Sequence, residues 1–573
     1  MGKEKLRLEM LKRKLTIPLL FMLLALTLTI IPWHSGYIYS GSDLRFHINR
    51  IAELVHGLNK GFPLVNFLTF NGVGYDVNSF YPLPLLYLFS PIFLIKNPVN
   101  AFYLFLSILL FLTQFSTYLA GRGLKMSRKN AVLLAMLYTF SEYMIFVYLF
   151  AFELGEALAF IAFPLVLIAV ISYVAPSYVS DRVTRYRDEL FVLSLIWVTY
   201  SHVLSMILCL LIIIPVLLFF VVKDQDWELL KRYVILGFCY TLTTSFFWIN
   251  LFQAYLHQGI VGPEKYLNVL TVQQLLTNSL ENKLTTGNVD PSNSVGIGIV
   301  LLVVALFLIA NYNSLDKVQK AFVIFAGAFF ILSTGLFCWS FIDSHFKSIE
   351  TIQFTFRFLI IVVLMLSFAV CLYHKVNWKT ILLVGTCIAV FNVSSSQNFV
   401  NMGQGQETLS TLPKFHHEPR YADFKVNGAT FKYLYQGFYG ANGGPADYLT
   451  YSQKKEFNSI ATHQVLVNGR TVKAKYEAQT NKIKYQFQLS KKGTVDLPVL
   501  KTAHRYQITD NGHVTGYIES KRGTLSIKGK QTGKHVIRVQ VMPSILFKLS
   551  IVLTLLGLGM ILVKFRKDRL GAV

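Results

Sequence analysis

The chain is short of charge. Only 15% of its 573 residues are Asp, Glu, Lys or Arg, against about 25% in ordinary soluble domains. The deficit is local, because long apolar runs alternate with short basic patches, and this excludes a single soluble globule. Cysteine is also scarce. Cys209, Cys239, Cys338, Cys371 and Cys387 all lie inside apolar runs and form no CxxC pair, which argues against a disulfide framework or a zinc finger. No Walker loop, no catalytic-triad spacing and no internal repeat is present. Acidic residues are outnumbered 30 to 54, for a net charge of +24. Basic loops at a membrane surface account for that excess more cheaply than nucleic acid does.

What the chain has in quantity is apolar and aromatic residues, 53% and 14% respectively. Runs of about 20 apolar residues match the hydrocarbon thickness of a bilayer. The hydropathy pattern predicts 12 transmembrane helices near 15–33, 99–121, 130–150, 155–175, 190–201, 203–222, 233–252, 295–312, 319–338, 357–374, 379–395 and 544–563. The first is read as a retained span after a basic start (Lys3, Lys5, Arg7, Lys12, Arg13, Lys14), since no small-residue cleavage site follows. With the N-terminus inside, alternate loops are rich in Lys and Arg: Arg122 to Lys129, Arg182 to Arg187, Lys223 to Arg232, Lys317 and Lys320, Lys375 and Lys379, and the tail Lys564, Arg566, Lys567, Arg569. Both termini are then expected in the cytoplasm.

Three segments then fall outside, 34–98, 253–294 and 396–543. In the last, TVKAKYEAQ, KIKYQFQLS and KHVIRVQVM alternate with period two between NG, DNG and KKG turn signals. That is the pattern of antiparallel strands. The expected architecture is a polytopic α-helical membrane domain (1–395), an extracytoplasmic β-sandwich-like domain (396–543), and a last helix with a basic tail (544–573). An outer domain without cysteine fits a bacterial envelope better than a eukaryotic secretory route.

The first outer loop carries the chemistry. Leu44, Ile48, Ile51, Val55 and Leu58 form one apolar stripe of a helix, and Ser42 or Asp43 stands at its start. Asp43, His47 and Arg50 share one face by i, i+4, i+7 spacing. The helix is expected to lie in the outer interface, apolar side toward lipid or protein, its other face solvated. Gly72 and Gly74 permit a tight turn, and Pro82 and Pro84 start a second apolar helix too short to span.

The runs SDLRFHINRI, GVGYDVNSFYPLPLLY and FELGEALAFIAFPL, the pair Ser201-His202, and IQFTFRFL around Arg357 resemble the bacterial YfhO-like and pyruvoyl-tetrahydropterin-synthase-related membrane proteins of the GT-C glycosyltransferase superfamily. The chain departs from that pattern at Thr355 and Phe356, where the family has Pro and Trp, and at ADYLT (446–450), where it has an EYLP-like piece. The resemblance implies a GT-C-like membrane fold and transfer of a sugar from a polyprenyl-phosphate donor to an envelope polymer such as teichoic acid. It makes the first-loop acid, here Asp43, the catalytic base.

Such chemistry needs a base for the acceptor hydroxyl and cations for the departing phosphate. Asp43 is expected to be the base, or a helix cap. Asp76 is a second carboxylate that positions the acceptor, joins a divalent-metal site with Asp43, or forms a turn. Arg357, in an apolar aromatic run at the outer start of a span, is expected to bind phosphate or to snorkel. His47 and Arg50 are weaker phosphate candidates. His202 is a ligand or a structural histidine, and Glu153 and Glu156 bind sugar hydroxyls or a cation, or cap a helix. A flippase or transporter, and a non-catalytic envelope assembly protein, are the alternatives. Residues 396–543 hold 21 Lys and Arg against 9 Asp and Glu, a difference of +12, which suits an anionic polymer or anionic lipid as partner.

Overall fold

A computed structural model describes residues 2–570 other than 263–264, 283, 286–293, 374–375, 410–423, 437–444 and 530. The side chains of the basic residues at 3–14 and of Arg566, Lys567 and Arg569, and all of Lys375, lie outside the described residues.

Seven helices among the described residues are long and apolar enough to cross a membrane: Leu15–His34, Pro98–Gly123, Leu154–Val174, Val203–Asp224, Thr355–Tyr373, Trp378–Gln404 and Ile545–Lys564. Two more of the expected spans are broken helix pairs. Arg128–Thr139 and Glu142–Phe150 meet at 55°, and Trp227–Thr243 and Ser245–Leu256 at 65°. The count is thus seven, or nine with each pair taken as one span. The expected twelve is not reached, because Arg187–Ser201, Ile299–Ala310 and Lys317–Ser333 have only 15, 12 and 17 residues. At about 1.5 Å per residue none covers the roughly 30 Å of a hydrocarbon core on its own.

By contacts the chain falls into two compact units. The first holds residues 1–42, 97–237 and 265–407, and the second holds 43–96, 238–264 and 408–573. In the first unit the helices are tied by polar bonds that apolar surroundings make selective. Thr29 and Ser107 hydroxyls meet at 2.8 Å, Gln114 Nε2 donates to Phe21 O at 2.9 Å, and Asn130 Nδ2 donates to Cys371 O at 2.7 Å.

The β region lies in the second unit. Its strands are β1 (Val465–Val467), β2 (Arg470–Val472), β3 (Lys475–Gln479), β4 (Lys482–Leu489), β5 (Gly493–Leu500), β6 (Arg505–Asp510), β7 (His513–Thr515), β8 (Ile518–Glu519), β9 (Thr524–Gly529) and β10 (Gly533–Met542). They form two antiparallel five-stranded sheets, ordered β8-β9-β5-β1-β2 and β7-β6-β10-β4-β3. The turn signals act as the sequence suggests. Asn468-Gly469 and Asn511-Gly512 are two-residue hairpin loops with positive φ at both positions, the conformation that matches strand twist. Period-two alternation sends Ile483, Tyr485, Phe487 and Leu489 inward from β4, and Ile537, Val539 and Val541 from β10.

Leu64, Val65 and Phe67 of the first loop belong to the same core. Backbone and amide bonds fix them there: Leu64 N donates to Asn481 Oδ1 at 2.7 Å, and Asn481 Nδ2 donates to Phe62 O at 2.8 Å. Gly74 has φ of 83°, and a Cβ there would stand 2.9 Å from the Phe67 ring, so the turn that returns the loop to the sheet needs glycine. Leu500 N then donates to Val73 O at 2.9 Å. The first loop and the sandwich are therefore one packed body.

Candidate functional site

The helix expected from the apolar stripe spans Leu44–Gly57. Its other face is not solvated. Arg45, Asn49 and Glu53 are buried along with Leu44, Ile48 and Ile51 of the stripe. Residues 433–436 and the loop at 67–70 cover the polar face and satisfy it. Asn49 Nδ2 donates to Leu434 O at 2.9 Å and its Oδ1 accepts from Phe70 N at 3.0 Å. An amphipathic pattern records which face is polar, but it does not record that a distant segment brings hydrogen-bond partners to that face.

Asp43 stands at the N-cap position, yet its side chain makes no capping bond. It is 48% exposed, and its Oδ2 lies 3.9 Å from Nε2 of His47, which is fully buried. The His47 Nδ1 lies 3.3 Å from Arg50 Nη1. Arg50 is fixed in turn: its Nη2 donates to Pro82 O, and its guanidinium sits 4.2 Å from the centre of the Tyr81 ring. Burial lowers the Arg50 pKa to about 10, partly offset by Tyr81 and Tyr448, so it stays charged at neutral pH. The predicted face therefore forms a chain from an exposed carboxylate through an imidazole to a buried cation.

Asp76 is not placed as a second exposed carboxylate. Its side chain is 1% exposed and its Oδ1 lies 3.5 Å from His504 Nε2 at the foot of β6. Among the described residues no group of three or more His, Cys, Asp and Glu is positioned to hold a metal ion.

The remaining candidates belong to the first unit. Arg357 and Glu156 form an ion pair, Nε to Oε1 at 3.3 Å, with Glu156 6% exposed. Tyr143 OH donates to Glu156 Oε2 at 3.2 Å, and Glu153 is hydrogen-bonded to the same carboxyl. Arg357 Nη1 also donates to Ile352 O at 2.7 Å. Much of the Arg357 fork is thus engaged by protein. His202 occupies the N-cap of Val203–Asp224, where its Nδ1 accepts from Ser205 N at 3.4 Å.

No protein-family model and no curated protein matches the chain. The site is accordingly read from its own geometry.

Two further titratable groups that the motifs do not single out are Glu53, on this helix, and His463, bonded to the turn at Asn71. Glu53 accepts from Thr69 Oγ1 at 2.7 Å and Leu68 N at 3.2 Å, yet burial outweighs these bonds and pushes its pKa up to about 7. His463, bonded to Tyr485 OH and Asn71 O and stacked on Tyr476, is held down to about 4 by burial. Their effects on stability have opposite signs. For Glu53 the unfolded chain releases its proton first, so stability falls as pH rises from about 4.5 to about 7. For His463 the unfolded chain gains its proton first, so stability falls as pH drops from about 6.5 to about 4. Glu53→Gln is therefore expected to raise the melting temperature relative to the parent by an amount that grows with pH up to about 7, worth at most about 3 kcal/mol. Melting both proteins in detergent at pH 4.5 and pH 8 checks this. A pH-independent difference would mean that folding leaves the proton affinity of Glu53 unchanged.

Proposed function

We propose that the chain is a membrane glycosyltransferase that moves a sugar from a polyprenyl-phosphate-linked donor to an extracytoplasmic envelope polymer. The observation that carries this reading is Asp43: an exposed carboxylate at a helix start, not used as a cap and backed by buried His47 and Arg50. In this mechanism Asp43 takes the proton of the acceptor hydroxyl as its oxygen attacks the anomeric carbon, and the lipid phosphate leaves from the opposite face with inversion. His47 stands 3.9 Å behind the carboxylate, and Arg50 is in contact with His47.

The same reading takes twelve spans, with Arg187–Ser201, Ile299–Ala310 and Lys317–Ser333 crossing as short helices beside longer ones, and both termini cytoplasmic. It places the basic sandwich outside, where its charge suits a polyanionic acceptor such as teichoic acid.

One observation favours lipid or polysaccharide transport instead. Both bent pairs are broken helices, and buried Glu142 stands at the 55° break, a feature of transporter substrate sites. The two readings separate in one experiment. The full chain is reconstituted in vesicles with a labelled polyprenyl-phosphate sugar and an anionic polymer acceptor. Label in the polymer supports transfer. Label that crosses the bilayer with the donor intact supports transport and overturns the transferase reading.

A further inference from the structure

A cleft of about 620 Å³ opens within the first unit, between Leu154–Val174 and Val203–Asp224 on one side and Lys317–Ser333 and Thr355–Tyr373 on the other. Its walls are apolar along their length, from Phe163 and Ile213 to Phe322 and Met365. Polar groups gather at one end only. There the helix 154–174 gives way to a turn that holds Ser177 and Tyr178, Lys223 stands in the last turn of the helix 203–224, and the helix 317–333 begins with Lys317.

Lys223 and Lys317 are the two cations that line this end. Among the described residues neither makes an ion pair within 4 Å, although ten pairs of that kind occur elsewhere. Lys223 Nζ lies 5.3 Å from the centre of the ring of Phe220, which also lines the cleft. Lys317 occupies the first turn of its helix, where the helix dipole disfavours a cation. A third lysine, Lys125, donates to Ser177 O at 2.8 Å at the same rim. The nearby carboxylate, Asp316, accepts from Val318 N and Gln319 N at 2.9 Å and is bonded to the Tyr178 hydroxyl, so its charge is committed to those groups.

An apolar slot that ends in lysines without acidic partners is complementary to an amphiphile with an anionic head. We propose that this cleft binds one anionic phospholipid, its acyl chains between the helices and its phosphate between Lys223 and Lys317. The site is separate from the Asp43 site and does not depend on the transferase reading. The lipid would fill a gap that helix packing leaves open and would neutralise two like charges held at one rim.

The test uses the full chain in a neutral detergent. Phosphatidylglycerol or phosphatidylcholine is added, retained lipid is counted by native mass spectrometry, and melting temperature is measured in parallel. Phosphatidylglycerol is expected to be retained at one molecule per chain and to raise the melting temperature more than phosphatidylcholine does. The K223Q/K317Q variant is expected to lose that preference, with affinity for phosphatidylglycerol falling about tenfold or more, and K223R/K317R to keep it. K379Q, an exposed lysine elsewhere, controls for general loss of charge. Val216→Phe, which narrows the cleft, is expected to reduce retention with both lysines in place. Equal retention of the two lipids by the parent, unchanged preference in K223Q/K317Q, or displacement of phosphatidylglycerol by equimolar polyprenyl phosphate would each overturn the proposal.

Discussion

Asp43→Asn is expected to lower sugar transfer by about 10²–10⁴-fold, the usual cost of losing a general base, with expression, membrane insertion and melting temperature unchanged. The structure gives a reason to expect so clean a separation. The Asp43 side chain is half exposed and makes no capping bond, and the amide keeps its shape while removing its charge. The contrast with its neighbours sharpens the test. His47→Ala and Arg50→Ala empty buried space and strip partners from Pro82 and Tyr81, so both should destabilise the protein and impair transfer together. Near-parental turnover by a well-folded Asp43→Asn protein would remove the base, and with it the main support for the transferase reading.

The second large effect belongs to Arg357. Truncating one member of a buried ion pair leaves the other charged and unpaired, at about 3–5 kcal/mol. Arg357→Ala strands Glu156, 6% exposed, at the start of its helix, so a fall in melting temperature is expected whatever Arg357 does for substrate. The double variant E156Q/R357M removes both charges and is expected to recover most of the lost stability. Donor binding by that variant separates the two roles. Affinity for the polyprenyl-phosphate sugar that stays weak once stability has returned supports a phosphate contact. Affinity that returns with stability assigns Arg357 to the scaffold alone.

Where the sequence is informative, it is so through local physics. Period two and the NG turns lead directly to β4, β10 and the hairpin loops, because strand faces and primed turns are properties of neighbouring residues. The i, i+4, i+7 face of Asp43, His47 and Arg50 is legible for the same reason. What the sequence leaves out is long-range. Asn49 and Glu53 are polar and helical, and only the cover provided by residues 67–70 and 433–436 makes them buried. Nothing near Asp76 in the chain announces that His504 is brought against it. Arg357 and Glu156 lie in different runs, and nothing in either run names the other. The three short helices show a further limit: hydropathy marks an apolar stretch but not where the backbone leaves the helix.

The sharing of one core by the first loop and the sandwich has a consequence in time. Leu64 and its anchor Asn481 are 417 residues apart in the chain. At a synthesis rate of about 5–20 residues per second, roughly 20–80 s pass between the appearance of one and of the other. Throughout that interval Leu64, Val65 and Phe67 have left the ribosome while the sheets that will enclose them do not yet exist. The nascent protein therefore carries these apolar residues without most of their core partners until Asn481 and the strands after it are made. A chain truncated before Asn481 would lack both the anchor of Leu64 and most of the strands that share its core.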